Sequence, residues 1–286
     1  MANLKEIRNR ISSVKSTMQI TSAMKMVSAA KLKKAQDAIT AMRPYADKLT
    51  ELLQSLSASL DGDAGSKFAD NREVNKVLVV SITSNRGLCG AFNTNIIKQS
   101  VSLYHGKYGG KQVDFVVIGK KANDILSKKF AIASNHSDIY DDLTFDNVAE
   151  IAENLMQRFT EGEYDRIDLV YNSFKNAATQ IVKSEQFLPI VPMEGEASNA
   201  ADYIFEPSKA EIVEQLIPKS LKTQLYKAIR DSFASEHGAR MTAMHKATDN
   251  AGELKDQLTL TYNKARQAAI TNEILEIVGG AEALNN

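Results

Sequence analysis

Both ends of this 286-residue chain are long helical stretches that the rest of the chain is too small to enclose. Residues 1–61 contain no glycine and a single proline, Pro44, while residues 208–278 contain only Pro218, Gly238 and Gly252 as helix breakers. In both stretches apolar residues recur at alternating three- and four-residue steps, the spacing of helices that wrap around one another. At the usual rise a helix of about 58 residues reaches about 87 Å, and one of about 75 residues about 110 Å. A compact domain of this length is much narrower. The ends are therefore expected to project as a rod, and the use of the rod depends on what surrounds it.

The first seam reads Leu4, Ile7, Ile11, Val14, Met18, Thr21, Lys25, Ser28, Leu32, Ala35, Ile39, Met42. Its spacing is unbroken, yet polar residues hold positions 21, 25 and 28. Over the same turns the apolar residues sit one position aside, at Ile20, Ala23, Met24 and Val27. A helix apolar on two adjacent faces can touch a partner helix and something else. Pro44 predicts a local bend, and the run DGDAGSK at 61–67 predicts the end of the element. The second seam reads Met244, Ala247, Ala251, Leu254, Leu258, Thr261, Ala265, Ala268, Asn272, Leu275, with Gly279-Gly280 as its fraying end. If both helices leave one domain they pair antiparallel, and the second is longer by about twenty residues, or about 30 Å. The tip from about Lys264 onward then stands alone, carrying Ile270, Ile274, Leu275, Ile277 and Val278. So apolar a helix needs a sleeve supplied by another protein.

Aromatic residues mark the globular part: of nineteen Phe and Tyr, fifteen fall within 61–207. Apolar, β-branched runs at Val77–Thr83, Val113–Gly119 and Arg166–Phe174 read as strands, with helical patterns near 91–104, 120–129 and 145–160 between them. Gln180–Ile190 reads as a further strand, placed at an edge by Pro189. Residues 191–202 read as a loop and Tyr203–Phe205 as short and extended. Ser208 with Glu211 forms a capping box that starts the last helix. The fold class is thus α/β joined to all-helical ends: a long antiparallel coiled coil of the terminal helices and a central Rossmann-like α/β domain with a mostly parallel sheet. The organisation is 1–60 for the first helix, 61–207 for the domain and 208–286 for the second helix.

Net charge is zero, which gives no general argument for nucleic acid or an acidic partner. Residues 1–48, however, hold ten Lys/Arg against three acids. A solvated helix face is the ordinary meaning of that excess, and a negatively lined socket the sharper one. A single cysteine, Cys89, leaves no internal disulfide and too few thiols for a cysteine-based zinc site. The N-terminus has no apolar core and so does not read as a signal peptide. No apolar run approaches the ~20 residues that cross a bilayer.

The most enzyme-like segment is Ser84–Asn93, SNRGLCGAFN, which follows a strand and opens a helix where backbone N–H groups can hold a phosphate. It matches neither GxGxxG nor GxxxxGK[ST], and the next strand ends in Gly119-Lys120 where a ribose-binding acid belongs. A tight turn is the preferred reading, and Cys89 reads as a small buried thiol. His105, His136, His237 and His245 form no metal-ligand or catalytic spacing. No catalytic residue, cofactor or metal is assigned. At the tip, Arg266, Gln267, Thr271 and Glu273 stand among small side chains on a helix that is otherwise smooth. Within a sleeve, Arg266 and Gln267 are donors aimed at its wall.

Several segments together resemble the gamma subunit of F-type ATP synthase: ITSAMKMVSAAKL at 20–32, RGLCG at 86–90, SEHGARMTAM at 235–244, ATDNA at 247–251 and NKARQAAITNEI at 263–274. They occur in family order and span the chain. Family members from plastids carry an additional cysteine-containing regulatory segment. Its absence here favours the bacterial type.

The resemblance implies a rotor shaft without catalytic residues of its own. The helices would stand inside a hexamer of alternating alpha and beta subunits. The central domain would rest, with the epsilon subunit, on the membrane-embedded ring of c subunits. The location implied is peripheral, on the cytoplasmic face of the bacterial membrane, with membrane association only through the complex. Arg266 and Gln267 are implied to bond a loop of a beta subunit, with Met24, Thr271 and Glu273 in the same contact region. Lys31, Lys33 and Lys34 would face an acidic socket, and Tyr203, Ile204, Phe205 and Glu206 would lie at the foot that meets the ring. The competing readings are a coiled-coil adaptor unrelated to rotation and a nucleotide-binding α/β enzyme.

Overall fold

The computed structural model describes residues 4–57, 66–70, 72–190 and 209–284. The loop over 191–202, the extended Tyr203–Phe205, the residues Tyr203, Ile204, Phe205 and Glu206, and the cap at Ser208 fall outside the described residues. Helix α1 covers Leu4–Ser57 and stays helical through Pro44. Most of the run at 61–67 falls outside the described residues, and Ser66–Ala69 is a short helix of its own, α2. The last helix of the chain covers Lys209–Leu284 and passes through Pro218, Gly238 and Gly252. It also continues through Gly279-Gly280, where fraying was expected. The strong helix formers after the two glycines offset their cost of about 1 kcal/mol each.

The chain divides into two compact units, Met1–Ser28 with Met241–Asn286, and Ala29–Arg240. In the first, the two helices run antiparallel. Arg8 Nη2 donates to the Tyr262 hydroxyl at 2.6 Å, Thr21 and Thr248 share a hydroxyl–hydroxyl bond of 2.8 Å, and Lys25 Nζ lies 3.4 Å from His245 Nδ1. Leu4, Ile7, Ile11, Val14, Met18, Thr21, Lys25 and Ser28 are the more enclosed positions of their helix, as the spacing predicts. The polar positions at 21, 25 and 28 are engaged rather than wasted, since Ser28 Oγ also returns a bond to the Met24 carbonyl at 2.7 Å. Paired polar residues in an apolar seam fix register, because any slip leaves them without partners.

The partner seam departs from the expected one. Met244, Ala247, Ala251, Leu258 and Ala265 face inward, but so do Thr248, Lys255, Tyr262 and Ala269. Leu254, Thr261, Ala268, Asn272 and Leu275 face out. The cause is the pairing itself: Thr248 and Tyr262 are set by Thr21 and Arg8, and Lys255 covers the seam with its methylene stem. The same register, with Arg8 beside Tyr262 and Thr21 beside Thr248, brings Leu4 at the start of α1 to about residue 266. From Ile270 on, every described side chain is exposed, Leu275 by 63% and Ile277 by 71%. The bare tip therefore begins six residues later than Lys264.

The second unit holds a five-stranded sheet. Its elements are β1 (Lys76–Ile82), α3 (Phe92–His105), β2 (Gln112–Ile118), α4 (Lys120–Leu126), β3 (Ile132–Asn135), α5 (Phe145–Thr160), β4 (Arg166–Phe174) and β5 (Gln180–Leu188), before α6, the Lys209–Leu284 helix. The strand order is β3-β2-β1-β4-β5. All neighbours are parallel except the edge strand β5, which pairs antiparallel with β4. Strand alternation assigns each face. Leu78, Val80, Ile82, Ile167, Leu169 and Tyr171 meet α5 and, through Ile217, Leu221, Leu225 and Ile229, part of α6. Val77, Val79, Phe115 and Val117 meet α3 and α4 through Ile96, Ile97, Ala122 and Leu126. This doubly covered sheet is the reason its central strands read as apolar runs.

Candidate functional site

Two places in the molecule carry the residues of interest, one in each unit. In the helix pair, Met24 is half-buried and Arg266, Gln267, Thr271 and Glu273 are exposed. Thr271 Oγ1 is occupied by the Gln267 carbonyl at 3.0 Å. Among the described residues, the Arg266 and Gln267 side chains have no hydrogen-bond partner. They sit at the last turn covered by α1, where the seam gives way to the bare tip. On the adjacent face of α1 read from the sequence, Ile20 and Val27 are each more than half exposed, Ala23 is exposed and Met24 is half-buried. Among the described residues that second apolar face is thus largely uncovered. These surfaces combine exposed apolar side chains with exposed polar ones, Arg266 and Gln267 among them.

In the second unit, Lys31, Lys33 and Lys34 are exposed on α1. Lys33 pairs with Asp37 at 2.8 Å, a surface pair of small worth, whereas Lys31 lends its field to the buried Glu236.

The other place is the crevice at the carboxyl ends of the strands. The turn after β1 carries two left-handed residues, Leu88 at φ 62° and Gly90 at φ 61°. Asn93 braces it: its Oδ1 accepts from the Ser84 backbone N–H at 2.9 Å, and its Nδ2 donates to the Ser84 hydroxyl at 2.9 Å. Cys89 is buried, and burial pushes its thiol pKa up, the opposite of an activated nucleophile. The donors that open α4 are also taken. Lys120 N–H goes to Asn85 Oδ1, Lys121 N–H to the Ser84 carbonyl and Ala122 N–H to Thr83 Oγ1. Gly119, at φ 112°, lets the β2 end touch the β1 end, since a Cβ there would lie 2.2 Å from the Thr83 carbonyl oxygen. A helix start whose N–H groups are all spoken for offers nothing to a phosphate.

Across this crevice lies α6. Ser235 Oγ donates to the Asn172 carbonyl at 3.0 Å, and Ser173 Oγ to Asp231 Oδ2 at 3.3 Å. The ring of Phe233 stacks on Tyr140, whose hydroxyl donates to the Thr83 carbonyl at 2.9 Å. Arg240 is ion-paired with Glu236, both side chains buried, and its Nη2 reaches the carbonyls of Arg86 and Gly87 at 3.4 and 3.2 Å. Burial raises the Glu236 pKa while Arg240, Lys31 and Arg86 pull it back. Sequence reading singled out Ser235–Met244 as a signature without giving it a task. The Glu–Arg spacing of four was the available signal, but its partners lie about 150 positions away in the chain.

The chain matches the ATP synthase family model over residues 3–284. It is 75% identical over 285 residues to the ATP synthase gamma chain of Flavobacterium psychrophilum, covering 99% of each chain. To that of Flavobacterium johnsoniae it is 73% identical over 286 residues, covering 100% of each. Among solved structures, a chain from the central stalk/c-ring of the Tetrahymena thermophila mitochondrial ATP synthase matches with a TM-score of 0.60 at 26% identity, over 80% of this chain and 99% of that one. A chain from the OSCP/F1/c-ring structure of the Euglena gracilis mitochondrial ATP synthase shares the fold, with a TM-score of 0.70 at 23% identity over 98% and 94% of the two chains.

Proposed function

The chain belongs to the ATP synthase gamma-chain family, and from that premise we propose that it is the central rotor shaft of an F-type ATP synthase. The observation that carries the reading is the helix pair: its last half-buried position is Ala269, and the apolar helix beyond is bare. The tip and the uncovered face of α1 would turn within a hexamer of alternating alpha and beta subunits. The α/β unit would stand with the epsilon subunit on the ring of c subunits. Among the described residues no helix is long and apolar enough to cross a membrane. Membrane attachment would therefore be peripheral, through the ring, at the cytoplasmic face of a bacterial membrane.

The shaft would contribute no catalytic group. Its cross-section is asymmetric, and each orientation would favour a different conformation at each beta subunit. Rotation then becomes a change of nucleotide affinity through differential contact. Magnitudes decide how the load is shared. One charge crossing 100 mV supplies about 2.3 kcal/mol, and several cross per ATP. A hydrogen bond contributes about 1 kcal/mol net. No single grip can carry the torque, so the stiffness of the helix pair and distributed steric contact carry most of it. Arg266 and Gln267, without a hydrogen-bond partner among the described residues, would bond a beta-subunit loop, with Met24, Thr271 and Glu273 beside them. Accordingly Arg266→Ala is expected to lower the yield of ATP per ion crossed without abolishing it.

The reading is tested by mixing the full chain with separately purified alpha and beta subunits. Assembly of one chain per hexamer with altered ATPase activity is expected. Binding without any change in activity would favour a passive adaptor, and ATP binding by the chain alone would favour an enzyme.

A further inference from the structure

A doubly wound sheet takes its ligand in the crevice beyond the carboxyl ends of the strands, where the crossovers change direction. Here that point lies between β1 and β4, because α3 returns the chain to β2 on one side while α5 delivers it to β4 on the other. The occupant is the chain's own α6. The preceding turns of the helix pack on the sheet face through Leu225, Ala228 and Ile229, but apolar contact has no direction and resists rotation about the helix axis weakly. Resistance to rotation requires a directional contact away from the axis. Arg240 provides one: Nη1 binds Glu236, and Nη2 points to the carbonyls of Arg86 and Gly87. Those carbonyls belong to a turn holding a left-handed leucine, Leu88, a conformation kept only where neighbours enforce it. A rotation of α6 by a single residue is about 100° and would carry the guanidinium clear of both carbonyls.

We propose that Arg240, oriented by Glu236, is a positioning residue that keys α6 to the α/β unit. The unit thereby grips the helix rather than merely adhering to it. The planar fork is what the task needs, because one guanidinium must serve a carboxylate and a turn of backbone at once. A lysine ammonium keeps the charge but cannot span both. That the key carries torque rests on the rotor reading; that it holds the turn does not.

The test uses Arg240→Lys and Glu236→Gln in the full chain. Hydrogen exchange on the free protein is read at the amides of residues 86–90 and, as a control, at residues 77–80 of β1. Faster exchange in the turn, by about tenfold for the loss of charge-assisted bonds, with β1 unchanged, is the expected result. An unchanged turn, or acceleration of turn and strand together, overturns the key and leaves Arg240 a general stabiliser. The same variants are then assembled with their partner subunits. Fewer ions pumped per ATP at an undiminished hydrolysis rate is expected, and unchanged pumping beside a loosened turn overturns the torque role. If the unaltered chain itself fails to assemble, the rotor reading falls while the exchange result still judges the key.

Discussion

The helix pair and the α/β unit are held together by different means. In the sheet, Val77, Leu78, Val79, Val80 and Ile82 are all at 0% exposure, and burial on two faces supplies the stability. In the helix pair, the more enclosed positions include Thr21, Ser28 and Lys25, and hydroxyl and amine contacts mark the register. The pair also leaves large apolar residues outward, at Ile20, Met26, Val27, Ile274 and Ile277. One unit is complete in itself, while the other leaves apolar surface that the proposed sleeve would cover.

Substitutions can break this contrast. Gly119→Ala should be the most damaging, because it forces a side chain into the Thr83 carbonyl at an unfavourable φ. A loss of about 3 kcal/mol or more is expected in urea unfolding, combining backbone strain with overpacking.

His237 comes next. Its ring is buried edge-on to Phe233 with neither nitrogen bonded. Burial, then Arg240 and Lys31, lower its pKa to about 4. The folded state therefore disfavours the protonated ring, so stability present above about pH 6.5 is lost as pH falls towards 4. The full shift from 6.5 to about 4 corresponds to roughly 3 kcal/mol. Glu236, raised by burial, acts in the opposite sense, gaining relative stability as pH falls. Comparing the chain with His237→Phe isolates the histidine: the variant should lose less stability over that interval, and parallel pH curves would refute the assignment.

Thr21→Val tests the seam. Thr248 keeps its bond to the Met244 carbonyl at 2.8 Å, so the cost should be about 1 kcal/mol or less, far below any α/β core truncation. Smallest of all is Ile274→Asn on the bare tip, which should leave the melting of the free chain within about 0.5 kcal/mol. The same change should weaken assembly with alpha and beta subunits. A clear loss of stability in the free chain would show that the tip is covered by something in this chain.

How much was legible follows from the same contrast. β1, β2 and β4 announced themselves as β-branched runs, and Pro189 placed β5 at an edge. β3 did not: Ile132–Asn135 has one β-branched residue, is only partly enclosed and becomes a strand by pairing with β2. The first helical seam was readable because its spacing never breaks. The second was misread at Leu254 because hydrophobicity ranks it above Lys255, whereas the antiparallel register turns Lys255 inward. The grip of Arg240 on Arg86 and Gly87 joins segments remote in sequence, and no local pattern encodes it. Arg266 and Gln267 were legible as exposed donors, but the targets proposed for them belong to other chains.

The central claim is rotation, and it is tested most directly by watching it. The full chain is assembled with alpha and beta subunits fixed to a surface, and a bead is attached to the exposed Lys128–Lys129 turn of the α/β unit. The account predicts that ATP drives stepwise turning of the bead in one direction, with three pauses per revolution from the threefold repeat of the hexamer. A complex that hydrolyses ATP at full rate while the bead only fluctuates about one angle would contradict it.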